Sequence, residues 1–223
     1  MGSLLFGVLV AHYLQQKDKR SDEDRVRLYE PLHAELAWVL SNKRSAMDGS
    51  GASFRNEGPL PDIIARGALL HKRHRPLKAD VDELVRLMDA ETGPYWEFQR
   101  LRREATQNVI DTTDYDDGKG NIARLSKVLG ANFGMSENMW YALTRGDKEL
   151  WAKEFVGIII AQAHIAGTQI VPKTTPDEMY DAIDAVILSS REKYLTATKS
   201  LFRKVEAVNA RLEAAMESGS RYA

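Results

Sequence analysis

The sequence predicts an all-α protein: an irregular, elongated bundle of about six or seven helices with a long C-terminal helix. Three observations support this class. Apolar residues recur at three- and four-residue spacing over most of the chain. Clusters of glycine and proline separate several of these stretches. The most hydrophobic internal segment, residues 147–171, runs too long for a strand and lacks its strict apolar–polar alternation.

The last helix has the clearest sequence signals. Thr175-Pro176-Asp177-Glu178 combines an N-cap residue, a proline at the first helical position and a capping-box glutamate. No proline or glycine follows until Gly219, so we predict one helix over residues 176–217. It forms either the spine of an antiparallel bundle or a coiled-coil contact in a homo- or hetero-oligomer. Its apolar residues approximate a seven-residue repeat: Met179, Ile183, Ile187, Tyr194, Leu201, Val205, Val208, Leu212 and Met216.

The earlier helices follow from the same spacing. An apolar stripe runs from Val26 to Leu40, and Pro31 within it should kink or restart the helix. A loop rich in glycine, serine and proline is expected near residues 48–61. Gly93-Pro94 is expected to separate two helices. The remaining helices are predicted at residues 62–72, 79–91, 94–109, 121–129, 136–144 and 147–171, the last mostly buried.

Composition excludes several classes of function. The chain has no cysteine, which rules out disulfides, thiolate metal sites and a cysteine nucleophile. Its 31 basic and 32 acidic residues give a formal charge of −1, so nucleic acid is not expected as a partner. We find no nucleophile elbow, phosphate-binding loop or zinc-protease helix motif. We therefore expect no enzymatic activity, cofactor or metal.

The N-terminal run, Gly2–Leu14, is apolar and carries no formal charge, which indicates burial in a membrane, a partner or a protein core. Its thirteen residues would span about 20 Å as a helix, against roughly 30 Å of hydrocarbon, so it is too short to cross a bilayer alone. It lacks the basic start and cleavage site of a secretory signal. The basic residues that follow would hold that end at the cytoplasmic face.

Three hypotheses remain for this run: the remnant of a longer anchor, a helix lying on the membrane interface, or a terminal helix docked in the core or in a partner. We predict a division into residues 1–20, which attach the protein to a membrane or partner, and a helical bundle over 21–223. The residues expected to attach are Leu4, Leu5, Phe6, Val8, Leu9 and Val10, with Lys17, Lys19 and Arg20 as the headgroup flank.

Two basic clusters could contact anionic lipid headgroups or the phosphates of nucleic acid. Each basic residue near an anionic membrane contributes about 1 kcal/mol. The alternative is a solvated helix end, where positive charge suits the helix dipole. The first cluster comprises His71, Lys72, Arg73, His74, Arg75 and Lys78, and the second comprises Arg100, Arg102 and Arg103.

Two acidic patterns resemble metal motifs without completing them. Glu30 and His33 form one E-x-x-H pair, but a di-iron site needs a second pair, which the sequence lacks. The acidic loop Asp111–Asn121 contains Asp114, Asp116 and Asp117, yet no register matches the calcium loop of an EF-hand. A solvated turn is the expected structure of this loop.

Residues Ile122–Asp147 resemble a helix-turn-helix of the phage-repressor kind. Leu125 and Leu129 match its first helix, and Met139 and Leu143 its second. The resemblance implies DNA binding, but the turn is too long and only Arg145 is basic in the second helix.

These observations favour a non-enzymatic, membrane-associated helical module for protein–protein interaction, located at the cytoplasmic face of a membrane or in the cytoplasm. The layout is similar to that of many bacterial membrane-anchored proteins. The first alternative is a soluble helical adaptor or a subunit of a larger assembly. A helix-turn-helix regulator is the second alternative.

Overall fold

The computed structural model describes residues 13–16, 19–20, 22–43, 60–68, 70, 74–130, 134–218 and 222. It confirms the all-α class and the long C-terminal helix. The predicted loop near residues 48–61 lies almost entirely outside the described residues. In chain order the elements are a π-helical turn (Arg25–Tyr29), α1 (Glu30–Ser41), α2 (Leu60–Ala68), α3 (Arg75–Thr112), β1 (Asp114–Asp116), β2 (Ile122–Arg124), α4 (Ser126–Leu129), α5 (Glu137–Arg145), α6 (Lys148–Ala166), β3 (Val171–Pro172) and α7 (Pro176–Ser218).

The chain divides into two compact units. Unit 1 is formed by the described parts of Met1–Lys43, Phe54–Asp89 and Ser200–Ala223, and unit 2 by the described parts of Ala90–Lys199. The long helices α3 and α7 each contribute residues to both units. The sequence predicts a single bundle domain over residues 21–223.

In unit 1, the π-helical turn accommodates Pro31. The N–H of Glu30 donates to the carbonyl of Arg25, five residues back, and α1 then continues to Ser41. Such a turn is a common response to a residue that cannot complete the regular hydrogen-bond ladder. The predicted irregularity at Pro31 is thus seen just before it, and the helix resumes without a gap.

A buried carboxylate joins three segments of unit 1. Asp80 on α3 accepts hydrogen bonds from Lys204 Nζ at 2.5 Å and from the hydroxyl of Tyr222, and Arg211 Nη2 lies 2.7 Å from its Oδ2. The Arg211 guanidinium also lies 5.3 Å from the centre of the Tyr222 ring. The Tyr222 backbone N–H donates to the hydroxyl of Tyr29. Asp80 therefore holds α7 and Tyr222 against α3.

Helix α3 is continuous across Gly93-Pro94, so the predicted break is wrong. Pro94 has no N–H to donate to the carbonyl of Ala90, and proline inside a helix costs about 3 kcal/mol. The apolar stripe continues in phase on both sides, with Met88 buried in unit 1 and Tyr95 and Phe98 in unit 2. Burial of this stripe outweighs the local cost, because tertiary packing supplies most helix stability in proteins.

Unit 2 has an aromatic core. Trp151 stacks on Phe155 at 5.1 Å between ring centres, and Phe98 stacks on Tyr194 at 5.6 Å. Helix α5 begins at the N-cap Ser136, whose hydroxyl accepts a hydrogen bond from the Met139 N–H. Buried side chains of α3, α5, α6 and α7 together form one apolar cluster.

A small antiparallel sheet, absent from the predictions, closes one side of unit 2. Its strand order is β2-β1-β3, with Tyr115 opposite both Ala123 and Pro172. The acidic loop contributes β1, and β2 takes the place of the first turns of the helix predicted at 121–129. Strands of two or three residues are too short to show an alternating pattern in the sequence.

Helix α7 confirms its sequence signals. The Thr175 hydroxyl accepts a hydrogen bond from the Glu178 N–H at 3.2 Å, and Glu178 Oε2 accepts one from the Thr175 N–H at 2.8 Å. All but one of the predicted repeat residues, from Met179 to Leu212, are at most 1% exposed. Met216 is half-buried. The repeat residues from Met179 to Leu212 are therefore buried in the protein's own cores.

Candidate functional site

The predicted attachment site lies mostly outside the described residues, which include neither Leu4–Val10 nor Lys17. Its end is described: residues 13–16 are helical, and Tyr13 is 70% exposed. Leu14 is also exposed, as are Lys19 and Arg20. Where the N-terminal run ends, its large apolar side chains therefore face solvent and not the core of unit 1.

The first basic cluster does not form one surface among the described residues. His74 is buried in unit 1, where its Nε2 lies 3.1 Å from Asp24 Oδ2. Arg75 is exposed, and Lys78 is paired with Asp82 at 3.0 Å. His71, Lys72 and Arg73 lie outside the described residues. His74 therefore ties the segment before α1 to the start of α3.

The E-x-x-H pair is divided between two contacts. Glu30 pairs with Arg25 at 2.9 Å, and His33 Nε2 lies 2.9 Å from Glu213 on α7. Within the described part of the chain, no group of three or more potential ligands is placed to hold a metal ion. Both residues contribute to the structure of unit 1.

The carboxylates of the acidic loop stabilise the loop by accepting hydrogen bonds mostly from its own residues. Asp117 accepts hydrogen bonds from the Asn121 side chain and the Lys119 N–H, which lower its pKa. The Gly118 N–H and the Lys173 ammonium lower the pKa of Asp116 in the same way. Gly118 has φ +75°, and a Cβ there would lie 2.5 Å from Gln169 Oε1, so the turn requires glycine. The expected solvated turn is thus replaced by a hydrogen-bonded turn that follows strand β1.

The helix-turn-helix geometry is not formed. Strand β2 and the four-residue α4 occupy the place of the first helix. On α5, Met139, Ala142 and Leu143 are buried in unit 2, and the Arg145 guanidinium lies over the Tyr141 ring. The two-helix arrangement that the DNA-binding hypothesis requires is therefore absent from these residues.

Helix α6 has an exposed apolar side that we expected to be buried. Trp151, Phe155 and Ile159 face the core, as predicted. Ile160 and Ile165 are 65% and 76% exposed, because α6 covers unit 2 with one side only. The α6 face consists of Val156, Gly157, Ile160, Ala161 and Ile165, all exposed, and no charged residue occurs from Phe155 to Ala166.

Unit 2 contains a buried cation that was not predicted from the sequence. Arg102, which the sequence groups with Arg100 and Arg103, donates to Thr144 Oγ1 at 3.0 Å and to Gln99 Oε1 at 2.5 Å. Its guanidinium carbon lies 4.1 Å from the centre of the Trp140 ring. Burial lowers the pKa of Arg102 to about 10, so it stays charged at neutral pH. The second basic cluster is therefore split between core and surface.

Glu91 is a buried acid that the sequence analysis also missed. It is 1% exposed, and burial raises the pKa of its carboxyl to about 7. The signal was present: Leu84, Met88, Glu91 and Tyr95 follow three- and four-residue spacing, so Glu91 occupies a position of the buried stripe. The predicted break at Gly93-Pro94 hid this, because it placed Glu91 at a helix end.

Comparison with known proteins adds no assignment to this geometry. No protein-family model, curated protein or solved structure matches the chain. Among the described residues, no helix combines the length and the apolar character needed to cross a membrane.

Proposed function

We propose that this protein is a non-enzymatic helical interaction module that attaches to a membrane surface through its N-terminal run. The exposed end of that run is the observation that supports the proposal. Tyr13 and Leu14 face solvent, and Lys19 and Arg20 follow as an exposed basic flank. An aromatic residue at the apolar edge followed by basic residues is the arrangement that suits the bilayer–water interface.

The attachment depends on two contributions that can be separated. Burial of apolar side chains contributes about 25 cal/mol per Å² removed from water. Each of Lys17, Lys19 and Arg20 adds about 1 kcal/mol at an anionic surface, and salt weakens this contribution. The basic flank would place the helical units at the cytoplasmic face.

Flotation with lipid vesicles tests the attachment. The full chain is expected to float with vesicles of phosphatidylcholine and phosphatidylserine, and a chain lacking residues 1–14 is not. Replacement of Lys17, Lys19 and Arg20 by glutamine should weaken binding to the anionic vesicles roughly 100-fold, from about 1 kcal/mol for each residue. The same replacement should leave binding to vesicles of pure phosphatidylcholine nearly unchanged.

A chain that remains in the dense fraction with both kinds of vesicle would refute the attachment. Equal flotation with and without residues 1–14 would refute the role of the run. Replacement of exposed Val186 on α7 by serine is the matched control, because it removes an exposed apolar side chain elsewhere. This variant should float like the unmodified chain.

The α6 face favours a second candidate function, self-association into a larger assembly. A second copy of the chain suits this face because the face carries no Asp, Glu, Lys or Arg and presents exposed apolar side chains. In an antiparallel pair, Ile160 of each copy would pack over Gly157 of the other, where a Cβ would meet nothing within 4 Å. One helix face buries less than the roughly 800 Å² per partner of a stable complex, so we expect a weak dimer.

Sedimentation over a range of concentrations tests this candidate. The chain is expected to shift from monomer to dimer as its concentration rises, and Ile160→Asp should keep it monomeric. Val186→Asp is the control, because it places a charge on an exposed apolar position of α7 in the same unit. A monomer at every concentration, or a dimer that Ile160→Asp leaves intact, would exclude the α6 face as the contact.

A further inference from the structure

Glu91 lies between the two long helices of unit 2 in a site that does not suit a charge. Its side chain is on α3, and Tyr194 on α7 lies close enough for their charges to interact. Carboxylate oxygen Oε2 is buried and has no hydrogen-bond partner among the described residues. An ionised carboxylate with an unsatisfied buried oxygen is strongly disfavoured, whereas the neutral acid is tolerated.

The helix is also locally weak at this point. Three residues after Glu91, Pro94 interrupts the hydrogen-bond ladder of α3, and Gly93 has no side chain to pack. Packing of Tyr95 and Phe98 against Tyr194 holds this part of α3 in place, with ring centres 5.7 and 5.6 Å from the Tyr194 ring. A small change in the energy of that packing therefore acts on a helix with little local stability of its own.

We propose that the proton on Glu91 controls how tightly α3 packs against α7 in unit 2. With the proton bound, the carboxyl is neutral and α3 packs closely against α7 in unit 2. When the proton leaves, the buried negative charge favours an opened state. In this state α3 and α7 separate near Glu91 and Tyr194, and water reaches the Glu91 carboxylate. The device is independent of the proposed attachment through the N-terminal run.

The neighbouring ionisable groups are two phenols and one guanidinium. Tyr95 on α3 and Tyr194 on α7 are the neighbouring phenols, and burial, followed by the charge of Glu91, raises the pKa of Tyr194. Arg102 interacts electrostatically with both phenols and remains charged at neutral pH. Glu91 is therefore the group in this cluster that changes its protonation between about pH 5 and 7.

The sign and size of the effect follow from linkage. In the opened state the carboxyl has its ordinary pKa of 4.5, and in the closed state burial raises the pKa to about 7. Below pH 4.5 both states hold the proton, and opening is not favoured. Between pH 4.5 and about 7, opening releases a proton. The equilibrium constant for opening therefore rises up to about tenfold for each pH unit. Above about pH 7 both states are ionised and the effect levels off.

Amide hydrogen exchange tests the proposal, after correction for the intrinsic pH dependence of exchange. In the unmodified chain, protection of residues 88–98 and 190–198 should fall roughly tenfold per pH unit from about pH 5 to 7 and then level off. Glu91→Gln keeps the size of the side chain but cannot ionise. Protection of the same residues in this variant should be nearly independent of pH.

Glu97→Gln is the matched control, because Glu97 is an exposed acid on the same helix. It should retain the pH dependence of the unmodified chain. If Glu91→Gln fails to fold, Glu91→Met provides the same comparison with an apolar side chain of similar length. A steady protection factor in the unmodified chain, or a pH dependence that persists after replacement of Glu91, would overturn the proposal.

Discussion

Trp151→Ala is expected to lower the free energy of unfolding by about 3–5 kcal/mol. Trp151 is fully buried in unit 2, where it stacks on Phe155 and meets the edge of Tyr180 at 6.0 Å between ring centres. Removal of the indole leaves a cavity among rigid rings that cannot collapse to fill it. Urea denaturation followed by far-ultraviolet circular dichroism measures the loss.

Two variants identify the source of this effect. Trp151 Nε1 has no hydrogen-bond partner among the described residues, so the indole acts through its size and stacking. Trp151→Phe retains a ring at that position and should cost much less than alanine. Trp96→Ala is the control for tryptophan loss, because Trp96 is half exposed and should cost less than about 1 kcal/mol. Similar losses at the two tryptophans would contradict the described packing of unit 2.

Asp80→Ala should give the second large effect, a loss of about 3 kcal/mol in the free energy of unfolding. The change removes the common acceptor of Lys204 and Tyr222 and the counter-charge of Arg211. We place the value at the lower end for a buried pair, since Arg211 is partly exposed and water can solvate it. Denaturation in urea at neutral pH measures the loss.

The same carboxylate gives a pH dependence opposite to that of Glu91. Burial raises the pKa of Asp80, but the hydrogen bonds from Lys204 and Tyr222 and the charge of Arg211 outweigh burial and lower it. Because the folded state binds this proton less tightly than the unfolded state, the stabilisation is present above the ordinary pKa of 3.8 and is lost as the pH falls below it. Glu91 acts above pH 4.5, so the two ranges do not overlap.

Asp82→Ala is the control for Asp80, because Asp82 forms an exposed pair with Lys78 on the same helix. It should change the free energy of unfolding by less than about 1 kcal/mol. If Asp80→Ala costs no more than Asp82→Ala, or if it leaves the loss of stability in acid unchanged, the three contacts of Asp80 do not stabilise unit 1.

Prediction from sequence succeeded where the signal is local or strictly periodic. The capping box at Thr175 predicted the start of α7, because it depends only on residues within one helical turn. The repeat from Met179 to Leu212 predicted its buried side. It could not distinguish a spine from a coiled coil, because the same apolar stripe serves either partner.

Prediction failed where a neighbouring segment decides the outcome. The break expected at Gly93-Pro94 is absent, because packing on both sides outweighs the cost of Pro94. Helix α6 was expected to be mostly buried, yet one of its sides is exposed, because the sequence of a helix does not specify how many segments pack around it. The short strands β1, β2 and β3 owe their existence to pairing with one another and not to any pattern within each.

Sequence alone therefore determined the helical class, the extent and buried stripe of α7, and the exclusion of cysteine chemistry. Tertiary structure decided which side of α6 is exposed and which charged residues are buried. The stripe position of Glu91 could be read from its spacing, but its burial depends on packing across the predicted break at Gly93-Pro94. Asp80 finds its partners more than a hundred residues away along the chain. Burial and the pKa shifts it causes depend on contacts between distant segments, which local residue patterns do not encode.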